Sequence, residues 1–183
     1  MIENIFLILI FAALYGITMK IADLLDEHGL KWFKGSATIF GILWGLFGAL
    51  LVASNIQVAN VLLAMILAFI FRMRIDYRNH AIATIIIIAS FLLYSTFEPL
   101  TFFIFLANFV IFGSLKDVMD DVYKRRDWLQ KFTESGWYYV IPAFVYAILT
   151  NQWIVFYTFT TYIIFYDLVK YIEENNRTAS PRP

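Results

Sequence analysis

Apolar residues in this chain gather in stretches near 4–21, 38–54, 56–71, 81–97, 100–114, 137–150 and 152–169, joined by short polar links. This constrains the fold more than any other feature, because a run of about 17–25 mainly apolar helical residues is what crosses a bilayer. Of the 183 residues, 61% are hydrophobic and 19% aromatic, and the mean hydropathy is +0.72, more apolar surface than a soluble single domain can bury. The expected fold is all-α: a polytopic integral membrane protein with about seven transmembrane helices. Residues 1–172 form one helical domain, and 173–183 form a polar, disordered tail. The run from Ala81 to Ser114 is 34 residues long. As one helix it would reach about 50 Å, against a hydrocarbon core of about 30 Å. Pro99 in "FEPL" removes a helical hydrogen bond and marks the break, which gives two short spans or a re-entrant hairpin. The opening "MIENIFLILIFAALYGITMK" has no basic leader and no small-residue cleavage site, so it reads as a retained first span.

Charge is distributed unevenly across this layout. All 14 lysines and arginines fall in alternate loops: Lys20, Lys31 and Lys34; Arg72, Arg74 and Arg78; Lys116, Lys124, Arg125, Arg126 and Lys131; and Lys170, Arg177 and Arg182. The other side carries Glu3, Glu98 and the links "SNIQ", "FEPL" and "TNQ". The positive-inside rule then puts the N-terminus outside and the C-terminus in the cytoplasm, in a multi-pass protein of the cell membrane. With no cysteine, disulfides, thiolate metal sites and thiol nucleophiles are excluded. No HExxH, GxSxG or P-loop pattern is present, and nothing in the chain calls for a nucleic-acid partner.

Two loops carry candidate chemistry. In "GSLKDVMDDVYKRRDW", residues 113–128, Asp117, Asp120, Asp121 and Lys124 stand at i, i+3, i+4 and i+7, one helical face. The first loop repeats this on a smaller scale with Asp23, Asp26 and Glu27. Both acidic faces follow helices that end at the charged side, where the helix dipole disfavours carboxylates by a few tenths to about 1 kcal/mol. Carboxylates clustered against that gradient point to a bound cation. Phosphate with its Mg2+ fits, since magnesium takes one or two carboxylates plus phosphate oxygens. Lys124, Arg125 and Arg126 on the same helix would meet phosphate oxygens. The alternative is a wet surface helix carrying ordinary Asp120–Lys124 and Asp121–Arg125 pairs. His28 and His80, alone in separate loops, read as surface histidines. In "HGLKWFKGSATIFGILWGLFG", Lys31 and Lys34 flank an aromatic pair, and Gly35 opens a helix whose Gly41, Gly45 and Gly48 would let a neighbouring helix approach closely.

"KWFKG" at 31–35 resembles the "KTWRG" loop of the membrane CTP transferases, a group that includes phosphatidate cytidylyltransferases and CDP-archaeol synthases. "GSLKDVMDDVYKRR" resembles their second hallmark, "GD…S…KRR", with Asp117 seven residues before Lys124. The resemblance implies a cytidylyltransferase-like enzyme joining CTP to a phospholipid or isoprenoid-lipid phosphate at the cytoplasmic face. Asp117, Asp121 and Lys124 would be catalytic. Lys31, Lys34, Arg125 and Arg126 would bind substrate phosphate, and Asp117, Asp120, Asp121, Asp23 and Asp26 would hold Mg2+. Trp32, Lys116 and Asp121 replace the threonine, glycine and serine of the family's motifs, and its closing acidic segment is absent. "DLLDE" with "KDVMDD" also resembles the paired aspartate motifs of UbiA prenyltransferases, which implies a prenyl diphosphate instead of CTP. A non-enzymatic transporter or scaffold is the third reading.

Overall fold

The computed structural model describes residues 4–27, 29–119 and 136–179. Among them are seven α-helices and no strand: α1 (Ile5–Asp26), α2 (Ser36–Ser54), α3 (Ile56–Phe71), α4 (Arg78–Tyr94), α5 (Pro99–Val118), α6 (Trp137–Thr150) and α7 (Trp153–Ala179). Each coincides with one of the apolar stretches. Three of them, α1, α2 and α5, are long and apolar enough to cross a membrane. The chain turns back between Ala81 and Ser114 at Ser95–Glu98, and Pro99 takes the first position of α5, where its missing N–H costs nothing. Helix α1 runs to Asp26, past the apolar stretch that ends near residue 21, so its last turn carries the acids. Helix α7 continues through Glu173 to Ala179, with no break where the apolar stretch stops.

Short links are built by residues suited to them. Asn55 is extended and accepts from the backbone N–H groups of Gln57 and Val58 at 3.0 and 3.1 Å, ending α2 and capping α3 in one residue. Asn151, at φ 59°, makes the left-handed turn between α6 and α7, a conformation that asparagine tolerates better than most residues.

Helix α3 lies at the centre, packed by α2, α4, α5 and α7. Its Val58, Val61, Ala64, Met65 and Ile66 have no solvent exposure. Around it α4 packs on α2, α2 on α1, α1 on α7, and α7 on α6. Glycines set two of these contacts. A Cβ at Gly41 would lie 2.8 Å from the Asn79 backbone, and one at Gly48 would lie 2.7 Å from Ile87, so α2 and α4 run side by side in parallel. Gly16 meets the Tyr162 carbonyl in the same way, bringing α1 and α7, the first and last helices, into parallel contact. The outward faces remain apolar: Phe6, Ile85, Leu92, Leu93 and Leu149 are each more than two-thirds exposed. Soluble monomers rarely show contiguous patches of that kind.

Candidate functional site

The bundle gathers its charged ends together. The C-terminal ends of α1, α3 and α5 meet the start of α4 at one end, and two polar clusters form there.

The first cluster is centred on His80, in the opening turn of α4. Its Nδ1 lies 3.2 Å from the Arg74 carbonyl oxygen. A carbonyl only accepts, so Nδ1 carries the hydrogen and Nε2 is directed the other way. Nε2 lies 3.1 Å from Asp23 Oδ1 and 3.3 Å from Glu27 Oε1. Asp23 and Glu27 are i, i+4 on α1 and therefore share a face. The Tyr166 hydroxyl from α7 donates to the second Asp23 oxygen at 2.8 Å, and Lys20 donates to Tyr166 at 3.4 Å. Asp76 approaches His80 Nδ1 at 3.5 Å, and the ring of Trp44 packs edge-on against the imidazole, centroids 5.5 Å apart. His80 is thus mostly enclosed, not a surface histidine.

Electrostatics follow from this arrangement. Burial alone would lower the His80 pKa, but the hydrogen bond to Asp23 and the charges of Asp23 and Glu27 outweigh it and raise the value above the ordinary 6.5. Glu27, just past the end of α1, is raised by burial first and then by repulsion from Asp23. Both shifts describe two carboxylates competing for one positive partner. A divalent cation would satisfy them better: with neutral His80 the set carries two negative charges and one nitrogen lone pair. Among the described residues, Asp23, Glu27 and His80 bring one ligand atom each within 4.8 Å of one another. Ligands bound at about 2.0–2.2 Å stand about 3 Å apart in tetrahedral or octahedral sites, which fits the 3.1 and 3.3 Å separations. The Arg74 carbonyl on Nδ1 supplies the outer contact that orients a metal-bound imidazole.

The second cluster is an ion pair. Arg72 donates from Nε and Nη2 to the two oxygens of Asp117, at 2.9 and 2.8 Å, and Arg74 adds a second guanidinium. The Arg72 guanidinium lies directly over Gly113, one turn before Asp117, where a side chain would displace it.

Of the residues singled out in the sequence, Asp23 stands in the first cluster and Asp117 in the second. Asp26 belongs to neither set. Lys31 and Lys34 are exposed in the loop before α2, beside Trp32 and Phe33, and Gly35 starts that helix at φ 88°. Asp120, Asp121, Lys124, Arg125, Arg126 and His28 lie outside the described residues. Sequence reading gave Lys20 no role beyond the charge asymmetry, took His80 for a surface histidine, and did not single out Asp76 or Tyr166. A signal for the middle two exists in "DYRNH", which sets Asp76 and His80 four residues apart at the mouth of an apolar helix. No family model matches the chain, and neither a curated protein nor a solved structure matches it.

Proposed function

We propose that the protein is a multi-pass membrane enzyme of lipid metabolism whose working end is the charged end of the bundle, facing the cytoplasm with the C-terminus. It uses a divalent cation held by Asp23, Glu27 and His80 to act on a phosphate-bearing lipid. The convergence of two carboxylates on the free nitrogen of a backbone-oriented histidine supports this reading. Mg2+ is the ion that the sequence motifs lead one to expect, but an imidazole nitrogen in the set favours Mn2+ or Zn2+. Asp117, engaged by two arginines, positions the ends of α3 and α5 around the site.

The reaction that the motifs imply is cytidylyl transfer. An oxygen of the lipid phosphate attacks the α-phosphorus of CTP, a P–O bond forms, and pyrophosphate leaves with the electrons of the broken bond. Lys31, Lys34, Arg125 and Arg126 would meet the CTP phosphates from the loops around the site. Asp23 in the first cluster equally favours the diphosphate of a prenyl donor, which makes a UbiA-like transfer the second reading.

Purified protein is incubated with CTP and phosphatidate, or with geranylgeranyl diphosphate and an acceptor, in EDTA and then with Mn2+, Zn2+ or Mg2+. Metal-dependent release of pyrophosphate from CTP, lost in Glu27→Gln, supports cytidylyl transfer. Release from the prenyl donor alone supports the second reading, and no release from either overturns both. Orientation is tested with single cysteines at Thr96, exposed in the α4–α5 link, and at Ser114, since the chain has none of its own. An impermeant maleimide applied to intact cells should label Thr96→Cys and spare Ser114→Cys; the reverse overturns the cytoplasmic placement.

A further inference from the structure

Lys20 lies one turn before Asp23 on the same face of α1 and is only 6% exposed. Its ammonium carries three N–H donors. The tyrosine hydroxyl of Tyr166, at 3.4 Å, takes one of them, and the centroid of the same ring lies 5.0 Å from Nζ. No carboxylate among the described residues comes within 4.0 Å of it. Asp23 is engaged by Tyr166 and His80, and Glu27 by His80. Asp23 and Glu27 offset the charge of Lys20 from a distance, while Lys116 of α5 and Lys170 of α7 oppose it. Asp167, on α7, feels both Lys20 and Lys170 without closing an ion pair on Lys20. A buried cation whose counter-charges act only from a distance, with N–H donors to spare, is better satisfied when oxygens reach it directly.

We infer that Lys20 anchors a phosphate oxyanion at the membrane side of the Asp23–Glu27–His80 cluster, with Tyr166 steadying the ammonium. The inference deepens the reading of that cluster as a phosphate-handling site, and the anchor itself needs no cation. Three residues along a helix are about 4.5 Å, so the anchor lies deeper in the bundle than Asp23, toward the apolar body of α1. That depth suits a phosphate carried by a lipid. The nearby carboxylates Asp23, Glu27 and Asp167 keep the local charge balanced until the anion arrives.

The test uses the full chain in detergent with EDTA throughout, so that a failed cation site leaves it unaffected. Dioleoyl phosphatidate, inorganic phosphate and dioleoylglycerol are added separately, and melting midpoint and binding are followed. Phosphatidate should raise the wild-type midpoint by several degrees, since a ligand bound only to the folded state stabilises it. Dioleoylglycerol should not. Lys20→Met should weaken phosphatidate binding at least about tenfold, the loss of one charge-assisted contact, while Lys20→Arg keeps most of it. Unliganded Lys20→Met should melt no lower than wild type, because a buried charge with no direct ion-pair partner among the described residues is gone. Should Lys20→Met not fold, Lys20→Gln replaces it. A shift with inorganic phosphate that Lys20→Met abolishes assigns the same anchor to a soluble phosphate ester. No wild-type shift with either phosphate, or an equal shift in the Lys20 variants, overturns the anchor.

Discussion

Arg72, the residue that caps α3, grips both carboxylate oxygens of Asp117 in the last turn of α5, 45 positions along the chain. The side chain of Arg72 is 9% exposed and that of Asp117 21%, so solvent screens the pair only partly. Asp117→Asn should therefore destabilise the protein by about 1.5–3 kcal/mol, the range for hydrogen bonds to charged groups. Gly113→Ala should do similar harm, because its methyl would occupy the place of the guanidinium. The two changes break one contact, so the double variant should be clearly less damaged than the sum. Denaturant melts in detergent measure all three, and strict additivity would show that Gly113 does not seat the clamp.

Helix spacing gives a second expectation. At Gly16 and Gly41 an added methyl meets backbone of α7 and α4, which cannot step aside, whereas at Gly45 and Gly48 it meets mainly isoleucine side chains. Gly16→Ala and Gly41→Ala should each cost about 1–3 kcal/mol, and Gly45→Ala and Gly48→Ala less. Gly41 touches Asn79, which precedes His80, so Gly41→Ala should also weaken Mn2+ binding; Gly45→Ala serves as the comparison in the same titration.

The His80 cluster makes stability depend on pH. His80 lies before the apolar stretch of α4, and its pKa is raised in the folded state. Its stabilising contribution is thus fully present below the ordinary value of 6.5 and is lost as pH rises through the folded value. Glu27, also raised, acts with the same sign, beginning above its ordinary 4.5. In EDTA, Tm should fall as pH rises from 6 to 8, and His80→Gln should flatten that fall. Glu27→Gln should flatten the more acidic part, which begins above the ordinary carboxylate value of 4.5. A wild-type Tm that rises across the same range would contradict the assignment of these groups.

At the opposite end, Asn60 is fully buried in α3. Its amide donates to the Ile56 and Thr96 carbonyls, both at 2.9 Å, and accepts from the Glu98 N–H at 2.8 Å. Asn60→Leu keeps the volume but orphans backbone groups in the α4–α5 link, at a cost of about 1–3 kcal/mol. Metal and phosphate binding should be unchanged in the variant, since the charged end is untouched. A large loss of binding would show that the two ends are coupled.

Much of the fold was legible because helices this apolar announce themselves by composition alone. The stretches at 38–54 and 56–71 correspond closely to α2 and α3, and Pro99 located the only turn hidden inside a continuous apolar run. Gly41, Gly45 and Gly48 were read correctly as a close-contact face, since spaced glycines have few other uses in an apolar helix. The site was harder to see. Asp23 was noticed through its acidic neighbours, but the partners that give it a role, His80 and Tyr166, come from other helices 57 and 143 positions away. Helical spacing speaks of one face of one helix; it is silent on which faces meet. Asp26 illustrates the limit: it shares the acidic run with Asp23, yet its side chain joins no ligand set.

The contact of Gly16 with Tyr162 makes neighbours of the first and last helices, and this has a consequence for biosynthesis. Asp23 leaves the ribosome early, but the hydroxyl that holds it belongs to Tyr166, 143 residues later. At about 5–20 residues per second that interval is on the order of 10 s. Throughout it α1 stands with the notch at Gly16 unfilled and its lysine and aspartate unaccompanied by α7. Helix α1 gains this neighbour only once α7 has been made, so a nascent chain truncated anywhere before α7 should lack the Tyr166–Asp23 contact, however completely its other helices have assembled.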